Sequence, residues 1–238
     1  YKGKVTGTIG FASFFSFKKY ISASGGGMII TGGSELEENI QCEINKLDGQ
    51  SQLGEIKNLI HTYVYSFLYH KPWFGMFTYP VFFHIARNKI AVNKNFEISR
   101  IMRSDLGVFL KKLKTFREKV KIQRRNSYRL IEELRDTSLV LPYEKRNTWC
   151  NYYLFPIRFR NKEDRDRAHE TLRKFGIDTA KLYSETPSKA RKIYGYVGDC
   201  PNSETLADTV LAVPNHYTLS EKELDKIANS IKKVEELL

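Results

Sequence analysis

The apolar runs of this chain are short and closed by glycine, proline or a capping residue, a pattern that forms strands and capped helices rather than one long bundle. GTIGFASFFSF (7–17) and GGMIIT (26–31) read as strand, turn and strand, and SLVLPY (138–143) and TWCNYYLFPIRFR (148–160) as later strands. Between them lie helical segments. Ser34 reads as an N-cap with Glu37 completing a capping box, and a second helix runs from about Leu53 to Tyr69. Ser104–Arg135 makes one long helix or two in succession. A further helix is capped by Asn161 or a neighbour and stopped at Gly176. The last opens with a Ser220–Glu223 capping box and carries Leu224, Ile227, Ile231, Val234 and Leu238 on one stripe. Strands alternating with helices predict a mixed α/β or α+β fold.

At 238 residues the chain is long enough for one large or two small domains. Its three cysteines, Cys42, Cys150 and Cys200, form no C-x-x-C pair, so neither a zinc site nor a disulfide framework is indicated. The opening Tyr1–Lys4 leads into a strand-like segment rather than an apolar leader, and a cytoplasmic protein is expected. The apolar stretch Tyr63–Phe83 is broken by His70, Lys71 and Pro72, which disfavours a membrane span. It reads as a buried helix with a Pro-bounded loop, or as a surface that docks on a partner or touches a bilayer peripherally.

The net charge of +12 favours polyanionic partners: phosphate-bearing ligands, nucleic acid or anionic lipid. The densest basic region, Lys111–Arg129, also carries Leu113, Phe116, Val120, Tyr128, Ile131 and Leu134 at spacings of mostly three or four, which describes an amphipathic helix with a solvated basic face. No nucleic-acid-binding signature accompanies it, and no nucleic-acid partner is expected. His61, His70, His84 and His169 lack metal-ligand spacing. Trp73 and Trp149 read as core or interface aromatics.

Lys18 and Lys19 stand where the first aromatic run ends, ahead of Gly25, Gly26 and Gly27. A lysine amine becomes nucleophilic when desolvation or neighbouring charge lowers its pKa. Backbone N–H groups of a glycine turn with a nearby serine hydroxyl can hold a phosphate oxygen. By residue type alone, a catalytic lysine and a solvated surface pair are both open.

The order of these residues resembles the cofactor-lysine segment of the DegT-type sugar aminotransferases, fold-type I pyridoxal-phosphate enzymes of the perosamine-synthase-like kind. The matched positions are Gly3, Lys4, Gly7, Thr8, Gly10, Phe15, Ser16, Phe17, Lys19, Gly26, Gly27 and Thr31. CPNSETLADTVLAVPNHYTLSEKELDKI (200–227) is similar to the same family's small-domain ending, including His216. RIMRSDLGVFLKKLKTF (100–116) matches a family helix loosely.

The resemblance implies part of a fold-type I large domain plus a C-terminal α+β small domain. It places the remainder of the cofactor-binding large domain in 1–100 and a connecting long helix with the small domain in 101–238. Lys19, with Lys18 as the other candidate, would condense with the aldehyde of pyridoxal 5′-phosphate and shuttle a proton. Ser16 would donate to the cofactor phosphate, and Arg100 falls near the place of a phosphate contact that the family draws from its neighbouring subunit. The implied reaction moves an amino group from a donor such as glutamate to a nucleotide-linked keto-sugar in a homodimer. Gly25 stands where the family usually has an acid, and Phe11 where it has aspartate. The family also carries a further domain-sized stretch ahead of the G-K-x-x-G segment, holding the carboxylate that pairs with the pyridine nitrogen. The alternative expectation is a non-catalytic relative with a dimerising or regulatory role.

Overall fold

Phe14 and Phe15 lie in β1 (Ala12–Ser16), which pairs antiparallel with β2 (Gly27–Thr31) in a register running from Ala12 opposite Thr31 to Ser16 opposite Gly27. The computed structural model describes residues 3–19, 25–70, 72–81 and 98–238. The expected turn residues 20–24 and His84 lie outside them. The chain divides into two units, Tyr1–Thr115 and Phe116–Leu238.

In the first unit β2 leads into α1 (Ser34–Lys46), followed by α2 (Gln52–Leu68), a π-helical turn at Phe74–Thr78, and α3 (Arg103–Leu113). The cap of α1 is Gly33, not Ser34: the Glu37 N–H bonds the Gly33 carbonyl and no side chain caps the helix. The first run yields a strand over Ala12–Ser16 only, with turns and bends before it. Two strands are marginal in water without a packed face. The packing comes from Phe17, buried just past β1, whose ring stacks on Phe109 of α3 with centroids 3.7 Å apart, while Ile101 and Val108 flank the pair.

The Tyr63–Phe83 stretch is interrupted as its Pro and charged residues require. α2 ends at Leu68, and the Thr78 hydroxyl donates to the Leu68 carbonyl at 2.7 Å. Of the two readings of this stretch the buried helix is not met, since Tyr63, Val64, Phe67, Met76 and Phe77 are exposed and leave an apolar surface. Among the described residues no helix is long and apolar enough to cross a membrane.

The second unit begins with α4 (Phe116–Leu134), so the long helical run of the sequence is two helices. Then follow β3 (Phe155–Arg158), α5 (Lys162–Lys174), α6 (Thr186–Tyr194), α7 (Pro201–Thr209), β4 (Val210–Val213) and α8 (Glu221–Glu235). β3 and β4 pair antiparallel, with Val140 bridged to Arg158 on one side and Ala180 to Ala212 on the other. α8 packs on α4 and α5. Leu224, Ile227, Ile231 and Val234 are buried there with Leu130, Leu134, Ala168, Leu172, Phe155 and Ile157. Burying each large aliphatic side chain in such a core contributes about 1.5–3 kcal/mol. The helix ends follow their sequence signals. Asn161 accepts from the Asp164 N–H at 2.8 Å, Ser220 and Glu223 cap reciprocally, and Gly176 takes φ +76° just past α5.

Candidate functional site

The end of β1 sets out the candidate residues in order. Ser16 makes the last strand pair, Phe17 turns into the core, and Lys18 and Lys19 follow with exposed side chains. The Lys18 N–H donates to Ser16 Oγ at 3.3 Å. The serine oxygen is thereby an acceptor, and among the described residues its own hydrogen has no acceptor, so it can donate to a ligand anion.

The glycines opposite have specific packing reasons. Phe17 N–H bonds the Gly26 carbonyl at 3.1 Å, and Gly26 has φ +88°, a conformation that favours glycine. A Cβ on Gly26 would stand 2.4 Å from Ile101 Cδ1, and one on Gly27 would stand 2.8 Å from the Phe15 carbonyl oxygen. A Cβ on Gly25 would meet Asp105 Oδ2 at 2.8 Å. The two later glycines thus serve the close approach of β2 to β1 and to the segment before α3.

Arg100 is anchored on α1. Its Nε donates to the Ile44 carbonyl at 3.0 Å and its Nη2 to the Asn45 carbonyl at 2.7 Å, satisfying the last turn of that helix. Nη1 makes no hydrogen bond among the described residues. The start of α3 is filled from α2. Glu55 accepts from the Arg103 N–H at 2.7 Å, from the Ser104 N–H at 3.2 Å and from Ser104 Oγ at 2.8 Å. The Arg103 N–H bond and then that from the Ser104 hydroxyl hold the Glu55 carboxyl below its ordinary range.

Between the strand pair, α1 and α3 lies a groove of about 1200 Å³. Gly25–Gly27, Arg100 and Asp105 line it, with Ile40 and Ile44 supplying apolar wall. The sequence reading missed Asp105, because one acidic residue in the first turn of a helix usually only complements the helix dipole.

The second unit carries a different cluster. Arg124 of α4 donates through Nη1 to Glu144 Oε1 at 2.5 Å and to the Cys150 carbonyl, and through Nη2 to Tyr128 OH at 2.8 Å. Its guanidinium lies 4.4 Å from the Trp149 ring centre. The bond from Arg124 holds the Glu144 carboxyl below its ordinary range. Trp149 is 64% exposed and packs on a guanidinium, so the core alternative is not met. Beside it is an apolar cavity of about 690 Å³ lined by Tyr152, Leu154, Leu182, Tyr183, Tyr196 and Leu206, among others. Tyr152 and Tyr183 take φ +49° and +57°, strained for side chains of that size. Burial pushes the Tyr152 hydroxyl up to about 12. His216, matched to a family position, bonds Thr218 Oγ1 at 2.8 Å. Among the described residues no group of three His, Cys, Asp or Glu could hold a metal ion.

The model of the DegT/DnrJ/EryC1/StrS aminotransferase family matches residues 1–232. This chain belongs to that family. A comparison with curated proteins finds no match. Among solved structures the DegT-family chain is similar to PseC of Helicobacter pylori, an aminotransferase involved in the biosynthesis of pseudoaminic acid. The two share 17% identity and a TM-score of 0.70, with 100% of this chain and 57% of PseC covered. It is similar too to a DegT DnrJ EryC1 StrS aminotransferase of Brucella abortus, with 21% identity, TM-score 0.68, and 98% and 53% of the two chains covered. A third is Spr1654 of Streptococcus pneumoniae, described as a sugar aminotransferase and solved in its PLP form. It has 18% identity, TM-score 0.71, and 100% and 55% covered. The DegT-family chain therefore spans about half the length of these solved relatives. At such identity the likeness establishes the fold: part of a fold-type I aminotransferase, with a C-terminal α+β unit.

Proposed function

We propose that this chain is the lysine-bearing part of a pyridoxal-phosphate-dependent sugar aminotransferase, with Lys19 as its reactive amine. The observation that carries the reading is the turn at Ser16–Lys19. The Lys18 N–H fixes the serine oxygen, and that bond leaves the hydroxyl hydrogen for an anion three residues from the Lys19 amine. A primary amine, a hydroxyl donor and exposed backbone fit a ligand that carries both an aldehyde and a phosphate.

Pyridoxal phosphate, when bound, supplies the electron sink through which an amino group passes between two carbons. In this reading Lys19 would hold the cofactor through Nζ at its aldehyde carbon, with loss of water, and once an incoming amine had freed that nitrogen it would take up and return a proton. Ser16 donates its hydrogen bond to a phosphate oxygen. Arg100, anchored on α1 through Nε and Nη2, offers Nη1 to an anionic oxygen. The substrate is a nucleotide-linked keto-sugar and the donor an amino acid such as glutamate, handled by a homodimer in the cytoplasm. Family membership and the PLP form of Spr1654 support the cofactor choice.

The test is the spectrum of the protein with the cofactor. A visible-edge absorbance band should appear in the wild-type chain and be absent from Lys19→Ala. A band of equal strength in the variant removes Lys19 from the role.

A further inference from the structure

The groove of the first unit holds a carboxylate that no described residue pairs with. Asp105 is 6% exposed, and among the described residues its carboxylate forms no hydrogen bond and no ion pair. Its position in the first turn of α3 gives it the helix dipole but no hydrogen bond. The Arg103 and Ser104 N–H groups at that helix start are both given to Glu55. Arg100, which lines the same groove, directs Nε and Nη2 to the carbonyls of α1.

A carboxylate with so little exposure and no hydrogen-bond partner is under-satisfied, and folds retain such groups where binding needs them. The surroundings keep the carboxylate accessible from the groove. Gly25 leaves open the space in front of Oδ2, where a Cβ would stand 2.8 Å away.

We propose that Asp105 binds the ammonium group of a primary amine lodged in this groove. One buried carboxylate calls for one positive charge with hydrogens to donate, and an ammonium supplies both. A metal ion would need further ligands, and no group of three ligating side chains exists among the described residues. The ammonium could belong to the amino donor or to the aminated sugar. Both are sources of the same chemistry. The link to transamination rests on the proposed function, whereas ammonium binding rests on the groove alone.

The experiment uses the whole 238-residue chain without cofactor, so its result is independent of Lys19. Binding is followed by calorimetry and thermal melting with glucosamine, N-acetylglucosamine and glutamate, for wild type, Asp105→Asn and Asp105→Leu. Wild type should bind glucosamine, glutamate or both, and which of them binds identifies the source of the amine. N-acetylglucosamine, which lacks the charge, should bind roughly tenfold more weakly than glucosamine, and Asp105→Asn should weaken the amine by a similar factor. Without ligand, both variants should melt higher than wild type, since each removes an unpaired charge. A lower melting temperature for Asp105→Asn, equal binding of N-acetylglucosamine, or no binding of either amine overturns the proposal.

Discussion

Phe17 stacks on Phe109 with ring centroids 3.7 Å apart, and among the described residues these two form the buried apolar cluster of the first unit. The strand end that presents Ser16, Lys18 and Lys19 is thus anchored by this aromatic contact, beside its pairing with β2 and the Phe17 N–H bond to the Gly26 carbonyl. Phe109→Ala should cost about 3–5 kcal/mol in that unit. Hydrogen exchange should show the β1 and β2 amides losing protection while those of β3 and β4 keep theirs.

Gly25→Ala tests the space in front of Asp105. The new methyl would sit 2.8 Å from Oδ2, so the carboxylate must swing aside. Amine binding by the groove should weaken several-fold, with little change in the Ser16–Gly27 pairing. Calorimetry and the amide exchange of β2 read the two effects separately.

Glu55 and His169 both make stability fall on acidification, in separate windows. The folded Glu55 carboxyl lies below its ordinary 4.5, so its bonds to the start of α3 are present above that value and are lost as pH falls through its folded pKa. His169, bonded to Thr179 Oγ1 at 2.7 Å, has its pKa lowered from 6.5 first by burial and then by Lys181. The unfolded chain therefore takes up the proton more readily, and stability falls as pH drops below about 6.5 towards the folded pKa. His169→Gln should flatten the decline in the second unit, and Glu55→Gln the one below pH 4.5. Melting temperature against pH for the three proteins checks both.

Glu144 ties the 144–150 segment to α4 through Arg124 and Tyr128, and closes the segment on itself by accepting from the Cys150 N–H. Glu144→Ala should cost about 2 kcal/mol, because it removes hydrogen bonds to a charge that is largely shielded from water. Trp149, released from the guanidinium, should show shifted fluorescence, which Glu144→Gln should change less.

Local signals that act within a few residues were legible in the sequence. The Ser220–Glu223 capping box, the Asn161 cap, the stop at Gly176 and the α8 stripe Leu224, Ile227, Ile231 and Val234 appear where residue type and spacing put them, whereas Leu238 lies past the end of α8 and is exposed. The two matched ends of the family were legible too, because glycine and aromatic order is fixed by close approaches such as Gly26 to Ile101. Features set by distant partners were not. The basic helix α4 buries Gln123, Asn126 and Ser127, polar types that read as exposed. They are buried because Gln123 bonds the Tyr152 carbonyl, Asn126 the His216 carbonyl, and Ser127 Oγ accepts from Asn215. Strand-like TWCNYY became a loop because Glu144 and Arg124 grip its backbone and Asn147 and Tyr152 take positive φ. Asp105 escaped notice because its burial depends on Gly25 and the groove, far away in sequence.

The central claim is that one amine, on Lys19, condenses with the cofactor aldehyde. The most direct measurement is borohydride reduction of the protein mixed with pyridoxal phosphate, followed by peptide mapping. The account predicts a single phosphopyridoxyl group on Lys19, absent from Lys19→Ala and reduced by Ser16→Ala. Label on Lys18, or spread over surface lysines and unchanged by Lys19→Ala, would contradict it.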